Sequence, residues 1–381
     1  MKNSWEIKKL GEVCEVLDNK RKPITKRDRT SGKYPYYGAT GVLDYVSDYI
    51  FNEKLILIGE DGAKWGAGEN TAYAVEGKCW VNNHAHVIKP ERTKVIDNWI
   101  IYLLNFSDLT QYITGLTVPK LNQEKMRNIS FPLPPLPEQK RIVAILDKAF
   151  DSITKTKEIA EKNLNNSNEV FESYLQSVFA NTGDGWEKKK LKQIGVTQTG
   201  TTPKTFFQEN YGDFIPFVKP ADIDIFGNGE IRYNLEGLSK KGLDSARKVF
   251  KNSILMVCIG ASIGKVGFTD RDISCNQQIN TLTLNNNLNS KFFYYALSSQ
   301  TFRKQVILNS SQATLPIINK SKWENLLVSF PESRQKQESI AKKLDAFLIE
   351  TKKLENISKQ KLVNLEELRK SILQKAFNGE L

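Results

Sequence analysis

Histidine and cysteine are scarce. Among 381 residues only His84 and His86 carry an imidazole, and Cys14, Cys79, Cys258 and Cys275 are scattered with no Cys-x-x-Cys pair. That scatter speaks against a zinc cage and a disulfide framework, and a reducing cytoplasm is the expected location. No apolar run approaches the roughly 18–20 residues that cross a bilayer. The opening, with Lys2, Trp5, Glu6 and two lysines, lacks a charged start followed by an apolar stretch, so no signal peptide is expected there. Catalytic signatures are missing too. Gly59-Glu60-Asp61-Gly62-Ala63-Lys64-Trp65-Gly66 is glycine-rich but is no phosphate loop, and its two acids would repel phosphate. Pro134-Pro135 lies between Leu133 and Leu136, so it is not the Asn/Asp-Pro-Pro-aromatic signature of an amino-methyltransferase. No acid–acid–lysine nuclease cluster stands out. The chain is expected to be non-catalytic, with no metal or cofactor of its own. His84 and His86, at i and i+2, could share a strand face with Cys79 nearby. The matching later stretch reads Asn276-Gln277-Gln278-Ile279-Asn280, and amides in place of imidazoles point to hydrogen bonding instead.

Positive charge is plentiful. Lys and Arg number 55 against 43 Asp and Glu, a net charge of +12. The isoelectric point is near 9.2. Part of the excess is local: Lys20, Arg21, Lys22, Lys26, Arg27, Arg29 and Lys33 crowd one stretch against a single acid, Asp28. Clustered cations bind a polyanion by releasing its counterions. The plainer reading is a solvated loop in a lysine-rich chain. A 40% hydrophobic content argues against disorder.

The chain is also written twice. Trp5-Glu6-Ile7-Lys8-Lys9-Leu10 returns as Trp186-Glu187-Lys188-Lys189-Lys190-Leu191. Gly62-Ala63 with Gly66 returns as Gly260-Ala261 with Gly264, and Thr117-Val118-Pro119-Lys120-Leu121-Asn122 as Thr314-Leu315-Pro316-Ile317-Ile318-Asn319. Gln139, Leu146, Asp147 and Phe179 return as Gln337, Leu344, Asp345 and Phe377. The offset is 181 at the start and 198 from the glycines onward, so the second copy has about 17 extra residues early on. A repeat this long is a duplicated half-molecule, not a solenoid unit of ~20–50 residues.

Within each copy the pattern changes once. Leu55-Ile56-Leu57-Ile58, ended by Gly59, and Ala85-His86-Val87-Ile88, ended by Pro90, read as strands; residues 98–104 read as a helix. Phe131-Pro132-Leu133-Pro134-Pro135-Leu136-Pro137 then breaks regular structure. Beyond it, Ile142, Leu146, Ala149, Ile153, Thr156, Ala160, Asn163, Ser167, Val170 and Tyr174 follow a heptad seam, and Asn181 to Gly185 end it. The second copy has Ile254-Leu255-Met256-Val257 as the matching strand and Phe330-Pro331 as the break. Its seam runs Ile340, Leu344, Phe347, Thr351, Leu354, Ser358, Lys361, Leu365, Leu368 and Ile372. The expected plan is α+β, with two similar mixed domains separated by two long helices. A pseudo-two-fold would run the helices antiparallel as a coiled coil; two separate amphipathic helices are the alternative.

Trp5…Leu10-Gly11, the run Phe131 to Glu138-Gln139 leading into a long helix, and the closing Leu373-Gln374…Phe377-Asn378-Gly379-Glu380-Leu381 together resemble the specificity subunit of type I restriction–modification enzymes. Thr199-Gly200-Thr201-Thr202-Pro203-Lys204, Ile215-Pro216-Phe217-Val218-Lys219 and Tyr36-Tyr37-Gly38-Ala39-Thr40-Gly41 are similar to landmarks of its two domain subtypes. Phe330-Pro331-Glu332-Ser333-Arg334-Gln335 lacks the proline run of the first copy, which leaves the second helix start open. The resemblance implies target-recognition domains at 1–136 and 183–331 and conserved helices at 137–182 and 332–381. It implies that each domain reads half of a bipartite site in double-stranded DNA while the helices set the spacer. It also implies two methyltransferase subunits, which use S-adenosylmethionine to methylate adenine at N6. Motor–nuclease restriction subunits, which use ATP and Mg, would complete the complex. A subunit of a related fused system, or a non-enzymatic adaptor, is the alternative.

Base edges are read by paired donors and acceptors, phosphates by positive charge alone. Lys20, Arg21, Lys22, Lys120, Lys204, Lys219 and Lys265 are the expected phosphate contacts, and Lys64, Asn82, Asn83, His84, Gln277, Gln278 and Gln312 the expected base readers. Trp65 and Tyr37 read as core residues before stacking ones.

Overall fold

A computed structural model describes residues 5–115, 117–180, 182–224, 230–233, 236–311 and 315–381. Gln312, Thr314 and Asn181 lie outside the described residues. The chain divides into two compact units, Met1–Ile159 with Gln360–Leu381, and Ala160–Lys359. Among the described residues no helix is long and apolar enough to cross a membrane.

In the first unit the strand Leu55–Gly59 is buried at every position. A run that is apolar on both faces belongs inside a sheet covered on both sides. Its side chains divide accordingly. Ile56 and Ile58 join Trp99, Ile100 and Leu104 in one core; Leu55 and Leu57 join Phe51, Cys79 and Val81 in another. The sheet order is Cys14–Val16, Ala85–Pro90, Leu55–Gly59, Ala72–Val75, all antiparallel. A second sheet runs Gly41–Val46, Ser31–Gly38, Lys78–Val81, Phe51–Asn52, and in it Ser31–Gly38 and Lys78–Val81 are parallel. The helix Asp97–Phe106 covers the first sheet through Trp99, Ile100 and Leu104.

The second unit repeats this plan. One sheet runs Gly195–Thr199, Ile279–Leu284, Ile254–Val257, Val266–Phe268; the other runs Gly237–Leu238, Tyr211–Val218, Ile273–Cys275, Lys248–Val249. Tyr211–Val218 and Ile273–Cys275 are again the parallel pair. Ile254 and Met256 face one core, Leu255 and Val257 the other. Each unit is closed by a two-stranded ribbon, Glu6–Lys9 with Ser130–Leu133 and Trp186–Lys190 with Leu327–Pro331. The repeated proline motif has one structural task in both. Asn122 and Asn319 cap short helices, accepting from the N–H groups of Lys125 at 2.8 Å and Lys322 at 2.9 Å.

The long helices span Leu136–Ala180 and Arg334–Phe377, and each contributes to both units. In the first unit they run antiparallel: Arg141 donates to the carbonyl of Leu381 at 2.5 Å, and Lys157 pairs with Glu366 at 3.0 Å. In the second, Tyr174 and Phe347 meet with ring centroids 4.7 Å apart.

The heptad seam needs one correction. Ile142, Leu146, Ile153, Ala160 and Ser167 are buried, as are Leu344, Thr351 and Ser358. Asn163 and Lys361 are exposed, and the half-buried leucines Leu164 and Leu362 stand in their place. Val170, Leu354 and Leu368 are exposed as well, while Phe171, Leu175 and Phe179, and Leu373 with Ala376, are buried. A straight helix drifts by ~20° per heptad relative to a 3.5-residue repeat. The distal third of each helix also changes neighbour, since Phe171, Leu175 and Phe179 enter the second unit's core and Leu373 and Ala376 the first unit's.

Candidate nucleic-acid interface

Both units present the same turn ahead of a central strand. Asn82 is buried and its side-chain oxygen accepts from the N–H of His84 at 2.8 Å. Asn276 is buried likewise and accepts from the N–H of Gln278 at 3.1 Å. An Asx turn of this kind fixes the backbone and leaves the following side chains to point outward. Asn83 and His84 are exposed in the first unit; Gln277 is exposed and Gln278 half-buried in the second. Asn82 therefore shapes the turn that displays Asn83 and His84, and Asn276, absent from the expected set, does the same for Gln277 and Gln278. His84 is held by Asp61. Gln277 accepts from the hydroxyl of Thr202, and Gln278 from the amide of Asn276 at 2.9 Å.

Behind the first turn lies an ionic cluster. The Arg21 side chain is 13% exposed. It pairs with Glu60 and donates to the carbonyls of Ala85 at 2.8 Å and Asp18 at 3.2 Å. Lys120 pairs with Glu60 at 2.7 Å. Asp18 meets His86 Nδ1 at 2.6 Å and accepts from the N–H of Val87 at 2.8 Å and from Gln123 at 3.1 Å. His86 is fully buried, with Nε2 on the carbonyl of Leu121 at 2.7 Å. Burial would push both carboxyls up. The bonds from His86, Val87 and Arg21 hold Asp18 below the usual range, and those from Lys120 and Arg21 do so for Glu60.

Asp18, Glu60 and His86 offer ligand atoms within 4.8 Å of one another, the spacing of a metal site. The groups present fit ion pairing instead, because Arg21 and Lys120 already bring two cations onto these carboxylates. The two histidines do not share a site: His84 turns to Asp61 at the surface and His86 to Asp18 inside. In the second unit the sheet register puts Cys258 where Glu60 stands and Asn280 where His86 stands. Asn280 accepts from the hydroxyl of Thr199 at 2.7 Å. All four cysteines are buried and unpaired, and burial pushes Cys14, Cys258 and Cys275 up to about 12, which leaves these thiols inert.

The remaining cations divide by unit. Lys20 and Lys22 are exposed beside Arg21, and the Lys22 carbonyl accepts from the Trp80 indole at 2.6 Å. Lys64 is exposed on the glycine loop, 3.9 Å from Glu69. Trp65 on that loop is buried, its indole donating to the carbonyl of Gly59 at 3.0 Å. In the second unit Lys219 and Lys265 converge on the turn Pro220–Asp222. Lys219 pairs with Glu236, and Lys265 donates to the carbonyl of Pro220 at 3.0 Å. Burial lowers the pKa of Lys265. Lys204 is exposed, and Phe206, two residues on, is 87% exposed. A cleft of about 590 Å³ lies beside Gly264, lined by Glu172, Ser262, Lys265 and Arg303. The expected site residues do not include Asp18, Glu60 or Arg303. The nearest signal was the acid pair Glu60-Asp61 inside a glycine loop.

The family model described as "Type I restriction modification DNA specificity domain" matches residues 2–163 and again 183–364. A putative type I restriction enzyme specificity subunit of Haemophilus influenzae is 37% identical over 142 residues, which covers 37% of this chain and 36% of that protein. The MjaVIII specificity subunit of Methanocaldococcus jannaschii is 25% identical over 99% of this chain and 93% of its own length. Among solved structures, a chain from a study of type I R-M complex assembly and conformational transition superposes with a TM-score of 0.76 at 19% identity, covering 99% of this chain and 98% of that one. The HsdS subunit from Thermoanaerobacter tengcongensis gives 0.60 at 18% identity, covering 100% of this chain and 98% of its own. At these identities the structures bear on the fold alone.

Proposed function

Because the chain belongs to the type I restriction–modification DNA specificity family, we propose that each of its two domains reads one half of a split DNA site. The observation that carries this is the matched Asx turn, Asn82-Asn83-His84 in one unit and Asn276-Gln277-Gln278 in the other, displaying amide and imidazole groups from the same place in the same sheet order. Such groups suit base edges in the major groove. Lys20, Lys22, Lys120, Lys204, Lys219 and Lys265 supply the sequence-independent grip on phosphates. Arg21, mostly turned inward, serves the turn as well as the charge.

The long helices fix the gap between half-sites and dock two methyltransferase subunits. Ile349, Leu354 and Ile357 on the second helix are exposed apolar side chains suited to such docking. Those partners carry S-adenosylmethionine and methylate adenine at N6, which requires the base to leave the stack. Restriction subunits carry ATP and Mg. This chain supplies target choice and no catalytic group. The test is to delete its gene and map N6-methyladenine across the genome. Loss of one split motif, two short half-sites with a fixed gap, is expected; an unchanged methylome with the partner subunits expressed would overturn the reading.

A further inference from the structure

We propose that Glu60 is a positioning residue for DNA reading by the first domain, setting Lys120 directly and the Asn83–His84 turn through Arg21. The inference rests on the reading that this face meets DNA. Two segments far apart in sequence, at Arg21 and Lys120, meet at this one side chain. Lys120 reaches it at 2.7 Å, and Arg21 pairs with it while donating to the carbonyl of Ala85 at 2.8 Å. The backbone of Glu60 ties the turn and the Lys120 segment: its N–H donates to the carbonyl of His84 at 2.9 Å, and its carbonyl accepts from the N–H of Leu121 at 2.8 Å.

An acid at a polyanion-binding face is electrostatically costly unless it does something for the cations around it. Glu60 is only 7% exposed, so it repels phosphate from behind two positive groups. It restrains Lys120, whose free ammonium would otherwise sample many rotamers and lose that entropy on binding. The second unit shows what the position needs when no cation stands there. Register places Cys258 opposite the role of Glu60, and the bridge Ile259–Ile317 replaces Asp61–Lys120. Acid and lysine are present together in one half and absent together in the other.

The experiment uses the full chain assembled with its methyltransferase subunits. Binding to duplexes carrying both half-sites, or one half-site scrambled, is measured over a range of KCl for Glu60→Gln, Glu60→Asp, Lys120→Met and the Glu60→Gln/Lys120→Met pair. Glu60→Gln is expected to cut discrimination at the first half-site about tenfold, to leave the second unchanged, and to tighten scrambled binding at low salt, since one negative charge is removed. The double variant is expected to lose less than the sum of the singles, the mark of action through Lys120. Glu60→Asp keeps the charge and withdraws it by one methylene, and is read in place of Glu60→Gln should that variant unfold; it too should lose discrimination at the first half-site. Unchanged discrimination in a folded Glu60 variant, with Lys120→Met weakened, overturns the positioning role and spares the DNA reading. Lys120→Met without effect on affinity or salt slope overturns the reading of Lys120 and this inference with it.

Discussion

Gln139 and Gln337 make matching hydrogen bonds in the two units. Each side-chain oxygen accepts a domain N–H, from Ile96 at 3.0 Å and from Asn289 at 2.9 Å, and each side-chain nitrogen donates to a proline carbonyl just ahead of its helix, Pro134 and Pro331, both at 2.8 Å. Both glutamines are fully buried. One helical stretch further on, Asp147 and Asp345 accept from the hydroxyls of Tyr102 and Tyr295. The repeated Gln and Asp are the rivets that fasten each domain to the start of its helix.

Gln139→Ala should therefore be costly. It removes the partner of the buried Pro134 carbonyl and of the half-buried Ile96 N–H and Lys94 carbonyl. A buried unsatisfied group costs about 1–3 kcal/mol, so a loss of about 3 kcal/mol in denaturant unfolding of the first unit is expected. A loss below about 0.5 kcal/mol would mean that water or a shift satisfies these groups and that the rivet is not structural.

The aromatic ends of the helices serve opposite units. Phe377 meets Trp99 at 5.1 Å, and Trp99 meets Trp5 at 5.9 Å. Phe179 meets Phe292 at 5.4 Å, and Phe292 meets Trp186 at 5.9 Å. Phe377→Ala should destabilise the first unit and Phe179→Ala the second, each by about 2–4 kcal/mol. Hydrogen exchange resolves the two. Protection lost in the wrong unit would contradict the assignment of helix ends.

Acid should loosen the first unit ahead of the second. Asp18 and Glu60 are buried yet held below the ordinary carboxyl range by their cationic and N–H partners. A depressed folded pKa confers stability that is complete above the unfolded value, about 4, and is lost as pH falls through the folded value. The second unit has Thr199 and Cys258 at these places, so this cluster adds no acid sensitivity there. First-unit protection should fall more steeply below about pH 4 in the wild type than in Asp18→Asn. Parallel curves would show that the cluster does not titrate on unfolding.

Base and phosphate roles separate by salt. Lys20→Ala or Lys204→Ala should weaken binding alike on all sequences and lower the salt slope by about 1. Asn83→Ala or Gln277→Ala should shift preference within one half-site by about 1–3 kcal/mol and leave the slope alone. A lysine variant that changes the preferred sequence would reverse the assignment.

Much of this was legible because local rules and the duplication agreed. Leu55-Ile56-Leu57-Ile58 read as a strand and forms one, and the proline run Phe131 to Pro137 stands at the start of the first long helix. The seam was legible in part: Ile142, Leu146, Ile153, Ala160 and Ser167, and Leu344, Thr351 and Ser358, are buried. Leu164 and Leu362 displace Asn163 and Lys361, and toward its end each helix packs into a domain core as well as against its partner, an added neighbour that periodicity does not encode. The pairings within the candidate site were not legible. Nothing in spacing reveals that Arg21 is spent on Glu60 or that Asn82 folds its own turn, since both depend on contacts 39 or more positions apart or on a local bond that any exposed Asn could forgo. Gln312 lies outside the described residues.

The most direct test of a two-domain reader with a helical spacer is to lengthen both helices. Seven residues inserted after Asn163 and seven after Lys361 keep the heptad and add about 10.5 Å, or about 3 base pairs at 3.4 Å each. The N6-methyladenine map of cells carrying that variant is the measurement. Both half-sites intact with a gap longer by about 3 base pairs is the expected result. An altered half-site, or an unchanged gap in an active complex, would contradict it.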